Sequence, residues 1–430
     1  MQFSNHSQEY IEFIYNHFNK CMLNKSINPN SNSIETIFFK NLFKQLKSAE
    51  TYIHSDEIQR HIIKKYNQIE TIKQMNFPTI YDSDFFPEII KKNIELHTIG
   101  EIIYKTVLGK RIIKFHFFIY DNTFIDNGYN GSASASAYSI FDTYVNQMLM
   151  WIHILNSYYA DNQCSQKLDI YIYLTDFKKI LPSNNIIILS QQQINTGYTI
   201  VCSEISEIVI YRKEEWFKVF IHESFHNFGF DFSTMNVKEL NDNISQLFPI
   251  KSKFNLYESY CEIWTRIINS AFCSYSILNN KNNISSFISY CDVLLQVERI
   301  FSLYQANKIL NYIGIKYEHL YKKDELSTSL RNTLYKEKAN VFAYYIISSI
   351  LLNDYTKFIK WCSTNNFVIL KFNKTPRTLQ SFFKFIKDNY KNETYVKTIN
   401  CIDKINHSNH FIKQNDFLKH SLRMTILELN

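Results

Sequence analysis

Lys218-Val219-Phe220-Ile221-His222-Glu223-Ser224-Phe225-His226-Asn227-Phe228-Gly229 is the stretch on which the reading of this chain turns. It holds a single H-E-x-x-H on an apolar background. On a helix, positions i and i+4 project from one face, so His222 and His226 can aim two imidazole nitrogens at one tetrahedral Zn2+. Glu223 lies about 100° round the helix from His222, close enough to reach a metal-held water without being a ligand, which is the position of a general base. With 13 His and 40 Asp+Glu among 430 residues, the pattern is expected by chance only about 0.04 times. Gly229 suits the C′ position that stops such a helix. Two imidazoles and a carboxylate on a largely apolar helix are hard to satisfy without a metal.

A catalytic zinc needs a third protein ligand and an open fourth position. Further along, Leu256-Tyr257-Glu258-Ser259-Tyr260-Cys261-Glu262-Ile263-Trp264 carries two carboxylates four residues apart, with apolar and aromatic neighbours that argue against a solvated face. Glu258, 32 residues after the second His, is the expected ligand. Glu262, one turn on, is expected to accept an imidazole N–H and so fix that ring. The swapped assignment stays open, and so does Asp231. Tyr257, Tyr260, Tyr344 and Arg331 are all candidate donors to a developing oxyanion.

An H-E-x-x-H followed by a Glu in an E-x-x-x-[DE] helix resembles the gluzincin branch of zinc metallopeptidases, the thermolysin-like plan. The order of elements before the motif (helix, strands, edge hairpin, motif helix) is similar as well, and the resemblance covers roughly residues 140 to 275. It implies a zinc site of His222, His226 and Glu258, with Glu223 activating a water for attack on a peptide carbonyl. It also implies an edge strand that pairs with an extended peptide or protein substrate. The nearest match to that strand is Asn195-Thr196-Gly197-Tyr198-Thr199, which makes Asn195, Gly197 and Tyr198 the substrate-binding candidates. The run H-E-x-x-H-x-x-G also matches the start of the metzincin signature, whose third ligand would fall on Phe232, one residue after Asp231.

Around this centre the hydrophobic pattern suggests three regions. Residues 1–98 read as mostly helical, with Ile37, Phe38, Leu42, Phe43 and Leu46 at three- and four-residue spacing. Residues 99–275 read as a zincin-like core: a strand pair at Ile102–Val107 and Arg111–Tyr120, and a Gly/Ser-rich linker at Asp121–Ser136. A helix over Ile140–Tyr158 follows, then strands at Leu168–Leu174, Ile186–Leu189, Tyr198–Cys202 and Ile208–Arg212. Residues 276–430 read as helical. The fold expected is therefore α+β, with a small mixed sheet and an active-site helix between helical regions.

Composition narrows the alternatives. The chain has 35 Phe and 30 Tyr against 7 Gly and 6 Pro. Codons for Phe, Tyr, Ile, Asn and Lys are A/T-rich, so the bias reads as genome background, fitting a large DNA virus or a protist, rather than as a base-stacking surface. The net charge of +7 is spread along the chain without a Lys/Arg cluster, so no nucleic-acid partner is expected. There is no G-x-x-x-x-G-K-[ST] and no G-x-G-x-x-G. Eight Cys without a C-x-x-C suggest reduced thiols and an intracellular, soluble protein. The first residues lack the basic and apolar regions of a signal peptide. The longest apolar run, Val341–Leu352, is too short for a bilayer, so no membrane association is expected. Oligomeric state leaves no mark in the sequence. The function expected is zinc-dependent peptide hydrolysis, and the competing one is a catalytically inactive zincin-fold scaffold that binds zinc and partner proteins.

Overall fold

β-branched and aromatic residues dominate from Gly100 to Ile119, and in the computed structural model they form two long antiparallel strands joined at Gly109, whose φ of +62° suits the tight turn. The structure describes residues 3–21, 27–121, 135–158, 163–407 and 416–429. The expected Gly/Ser-rich linker lies, from 122 to 134, outside them. The chain divides into two compact units. One comprises residues 44–178 and 195–230, the other residues 1–43, 179–194 and 231–430.

The first unit is built on a six-stranded mixed sheet. Its strands are β1 (Ile63–Gln68), β2 (Gly100–Leu108), β3 (Arg111–Ile119), β4 (Lys167–Thr175), β5 (Gly197–Thr199) and β6 (Ile205–Arg212), in the order β1-β2-β3-β4-β6-β5. β3, β4 and β6 run parallel, and β5 closes one edge antiparallel to β6. A parallel pair needs a crossover, and the helix Ala135–Tyr158 supplies it between β3 and β4. One face of the sheet carries an aromatic cluster of Phe86, Phe118, Tyr173, Tyr198 and Tyr211. Helices Ala135–Tyr158 and Trp216–Asn227 pack together, the latter against β5 and β6.

The second unit is helical. Helices Tyr257–Ser276 and Ile284–Ile313 pack together at its centre. Between them Arg266, 1% exposed, holds Glu262 at 2.9 Å and lies 4.0 Å from Glu298. A π-helical stretch, Phe342–Ile347, runs on into the α-helix Ser348–Asn353. Among the described residues, no helix is long and apolar enough to cross a membrane.

The α+β class stands, with three differences in detail. β1 lies within the region expected to be helical. Its side chains are exposed or half-buried, so it carries no apolar alternation and owes its conformation to backbone pairing with β2. Ile186–Leu189 is no strand: Ile186 is exposed, and the backbone there turns, with the Tyr312 hydroxyl donating to the carbonyls of Asn184 and Ile187. Four of the eight cysteines are paired, Cys21 with Cys401 and Cys164 with Cys202, while Cys261, Cys273, Cys291 and Cys362 are buried thiols. The reduced state expected from spacing fails for the first four because partners 380 and 38 residues apart leave no local motif. Both units are discontinuous along the chain, because a sheet recruits strands across long connections.

Candidate metal centre

The motif helix spans Trp216–Asn227, and all twelve of its residues are buried. It ends in a Schellman turn. The Phe230 N–H donates to the Phe225 carbonyl (2.8 Å), the Gly229 N–H donates to the His226 carbonyl (3.0 Å), and Gly229 takes φ +68°. The rings of Phe225 and Phe230, 6.0 Å apart, supply the apolar contact of that motif. Behind the helix, the Trp151 indole N–H donates to Ser224 Oγ at 2.6 Å. This side chain between the two histidines therefore points into the core, and the turn is rotationally fixed.

Held in this way, His222 and His226 turn their Nε2 atoms toward each other, 3.2 Å apart. Two nitrogens about 2.05 Å from a tetrahedral zinc stand about 3.3 Å from each other, so this spacing suits a shared metal. Glu223 shares the helix and is 8% exposed, against 5% and 6% for the two histidines.

The sheet edge beside the helix is β5. The Tyr211 N–H donates to the Thr196 carbonyl and the Ile200 N–H to that of Glu207. In an antiparallel ladder this alternation turns the N–H and C=O of Gly197 and Thr199 away from β6, toward the open edge. Gly197 crosses directly over the motif helix. A Cβ there would stand 2.5 Å from the Val209 carbonyl oxygen, 3.0 Å from Val219 Cγ1 and 3.6 Å from Glu223 Cγ. Only a residue without a side chain brings the strand this close to Glu223. Tyr198, next along β5, turns its side chain the other way. It is buried in the aromatic cluster on the other face, and its hydroxyl donates to the Ile80 carbonyl at 3.2 Å. Asn195 contributes its backbone, the carbonyl accepting from Arg212 Nε at 3.0 Å.

The sequence reading missed two residues of this region. Arg212 is buried and clamps the carbonyls of Asn195 and Lys178. Burial pulls its pKa below the usual guanidinium value. Asn227, fully buried at the end of the motif helix, bonds to β5 and β6. The only sequence signal for it is a polar residue directly after the second His.

In the helical unit Glu258 occupies the first turn of helix Tyr257–Ser276, where the helix dipole favours a carboxylate. Glu262 is fully buried in its ion pair with Arg266. Asp231 Oδ1 accepts from the N–H and hydroxyl of Ser233, and Cys261 Sγ lies 3.7 Å from Oδ2. Phe232 sits in an aromatic core with Tyr260, Phe372 and Phe382. Of the oxyanion candidates, the Tyr260 hydroxyl donates to the Leu370 carbonyl and accepts from Asn366, and Arg331 is spent on the carbonyls of His319 and Lys322. Tyr257 and Tyr344 are half-buried.

No known protein family, curated protein or solved structure matches this chain.

Proposed function

We propose that this chain is a zinc-dependent metallopeptidase of the gluzincin kind, with a zincin-like core formed by the sheet and the motif helix. The observation that carries the reading is the facing pair of buried imidazole Nε2 atoms, 3.2 Å apart, on the same helix as Glu223, to which Gly197 brings an open strand edge. The donor set suits zinc: two imidazoles fixed on one face, with a carboxylate as the third ligand. Glu258 is that carboxylate. Supporting the choice, Glu262 already neutralises Arg266 and Asp231 caps its own turn at Ser233, whereas Glu258 stands in a helix's first turn.

When bound, zinc would polarise the scissile carbonyl and acidify a water. The chain's own residues do the rest. His222 and His226 hold the metal through Nε2. The Glu223 carboxylate takes the proton of the attacking water and returns it to the leaving amine nitrogen. The outward N–H and C=O groups of Gly197 and Thr199 pair with an extended peptide, which sets the scissile bond over Glu223.

Zinc content and turnover of a peptide library together test this. The wild type should hold one zinc and cleave; Glu258→Ala should lose most of the zinc, and Glu262→Ala should keep more of it. Zinc retained in both variants would remove the third-ligand assignment. Full zinc loading with no turnover of any peptide would favour the scaffold reading.

A further inference from the structure

We infer that Asn227, the residue after the second histidine, is a positioning residue that sets the substrate-pairing strand at its working offset from the metal-binding helix. The inference rests on the metallopeptidase reading above and adds what fixes substrate geometry. The Asn227 carboxamide is fully buried. Its Nδ2 donates its two hydrogens to Thr199 Oγ1 at 2.8 Å and Ser206 Oγ at 2.6 Å, with the Ile200 carbonyl 3.2 Å away. The Glu207 carbonyl lies a further 3.4 Å from it. The Ile200 and Glu207 carbonyls only accept, so the amide orientation is determined: Nδ2 faces the strands, and Oδ1 accepts from the Ser165 hydroxyl.

Ser165 is itself held, its carbonyl taking a bond from Arg111 at 2.9 Å. The Arg111 guanidinium lies 4.5 Å from the Phe228 ring centroid, at the end of the same helix. Asn227 therefore joins three things: the last turn of the motif helix, the C-terminal end of β5, and β6. Arg212 grips the other end of β5 through the Asn195 carbonyl. A three-residue edge strand has few ladder bonds of its own. Two buried polar side chains, one at each end, supply the rigidity that peptide pairing needs, and His226 and Asn227 are adjacent in the chain.

Such a residue affects peptide recognition without touching the metal, and two zinc-directed probes separate these effects. Acetohydroxamate needs only the metal, whereas a set of peptidyl hydroxamates needs the metal and the strand. Asn227→Ala and Thr199→Val should keep one zinc and wild-type affinity for acetohydroxamate, yet bind peptidyl hydroxamates about tenfold more weakly, as expected when a buried hydrogen bond is lost. Thr199→Ser, which keeps the accepting hydroxyl, should restore binding. If Asn227→Ala does not fold, the Thr199 pair carries the test alone. Equal weakening of both probes, loss of zinc in the Thr199→Val variant, or unchanged peptidyl binding would overturn the inference while leaving the metallopeptidase reading in place. A wild type that holds zinc but gains no affinity from the peptide portion would overturn it too. A wild type that takes up no zinc overturns the metallopeptidase reading itself.

Discussion

Glu223 and Gly197 show how much single positions decide. Glu223→Gln preserves shape and removes the basic oxygen. Zinc content should stay unchanged while turnover falls by about 10²–10⁴-fold, the usual range for general-base catalysis. Retained turnover would strip Glu223 of its role. Gly197→Ala puts a methyl 2.5 Å from the Val209 carbonyl oxygen, a contact that backbone cannot yield cheaply. The strand must lift, so peptide affinity should fall with zinc content unaltered; unchanged affinity would mean that β5 does not carry substrate. Both residues were singled out in the sequence, Glu223 through the motif and Gly197 through the edge strand that the resemblance implies. The side chain of Tyr198, one strand position from Gly197, points to the opposite face, and strand periodicity assigns faces only once one face is known.

At the scale of elements, the motif helix was legible from its apolar run to its terminal glycine, because helix periodicity and C′ chemistry are local. Its end packs on a feature that was not legible: a Cβ at Gly229 would stand 3.3 Å from Cys202 Sγ and 3.5 Å from Cys164 Sγ. Gly229→Ala should therefore cost about 1–2 kcal/mol in the left-handed conformation, measured as a lower denaturation midpoint. An unchanged midpoint would mean that this turn relaxes freely. β1 and the Ile186–Leu189 run mark the limits of pattern reading in opposite directions. A polar strand gains its state from its neighbour β2, and an apolar run without a neighbouring strand gains none.

For the molecule as a whole, covalent and titratable features bear on stability. The Cys164–Cys202 bridge spans 38 residues, so reduction should destabilise its unit by about 3–4 kcal/mol on chain-entropy grounds. Thermal melts with and without dithiothreitol would measure this, and coincident melts would show the bridge to be dispensable. In the helical unit, burial pushes the Glu337 carboxyl up to about 7 although it accepts from the Phe342 N–H and the Tyr335 hydroxyl. A folded pKa above the ordinary carboxyl value of 4.5 means that the stabilising contribution is complete below that value. It is then lost as pH rises through 7, on the order of 1–2 kcal/mol once partial exposure is allowed for. Glu337→Gln should flatten the fall in melting temperature between pH 5 and 8; a parallel profile would show that Glu337 does not titrate in that window.

By itself, the sequence determined the α+β class, the motif helix with its two histidines and glutamate, and the antiparallel hairpin at Gly109. Each of these rests on contacts within a turn or two of chain, where residue spacing is geometry. Tertiary structure alone decided the order of the six strands, the cysteine pairing, the face on which Tyr198 lies, and the grip of Arg212 and Asn227 on β5. Those depend on which distant segments pack together. The physical reason is burial: a polar group is held where a partner is brought to it, and one strand of sequence does not state which partner arrives.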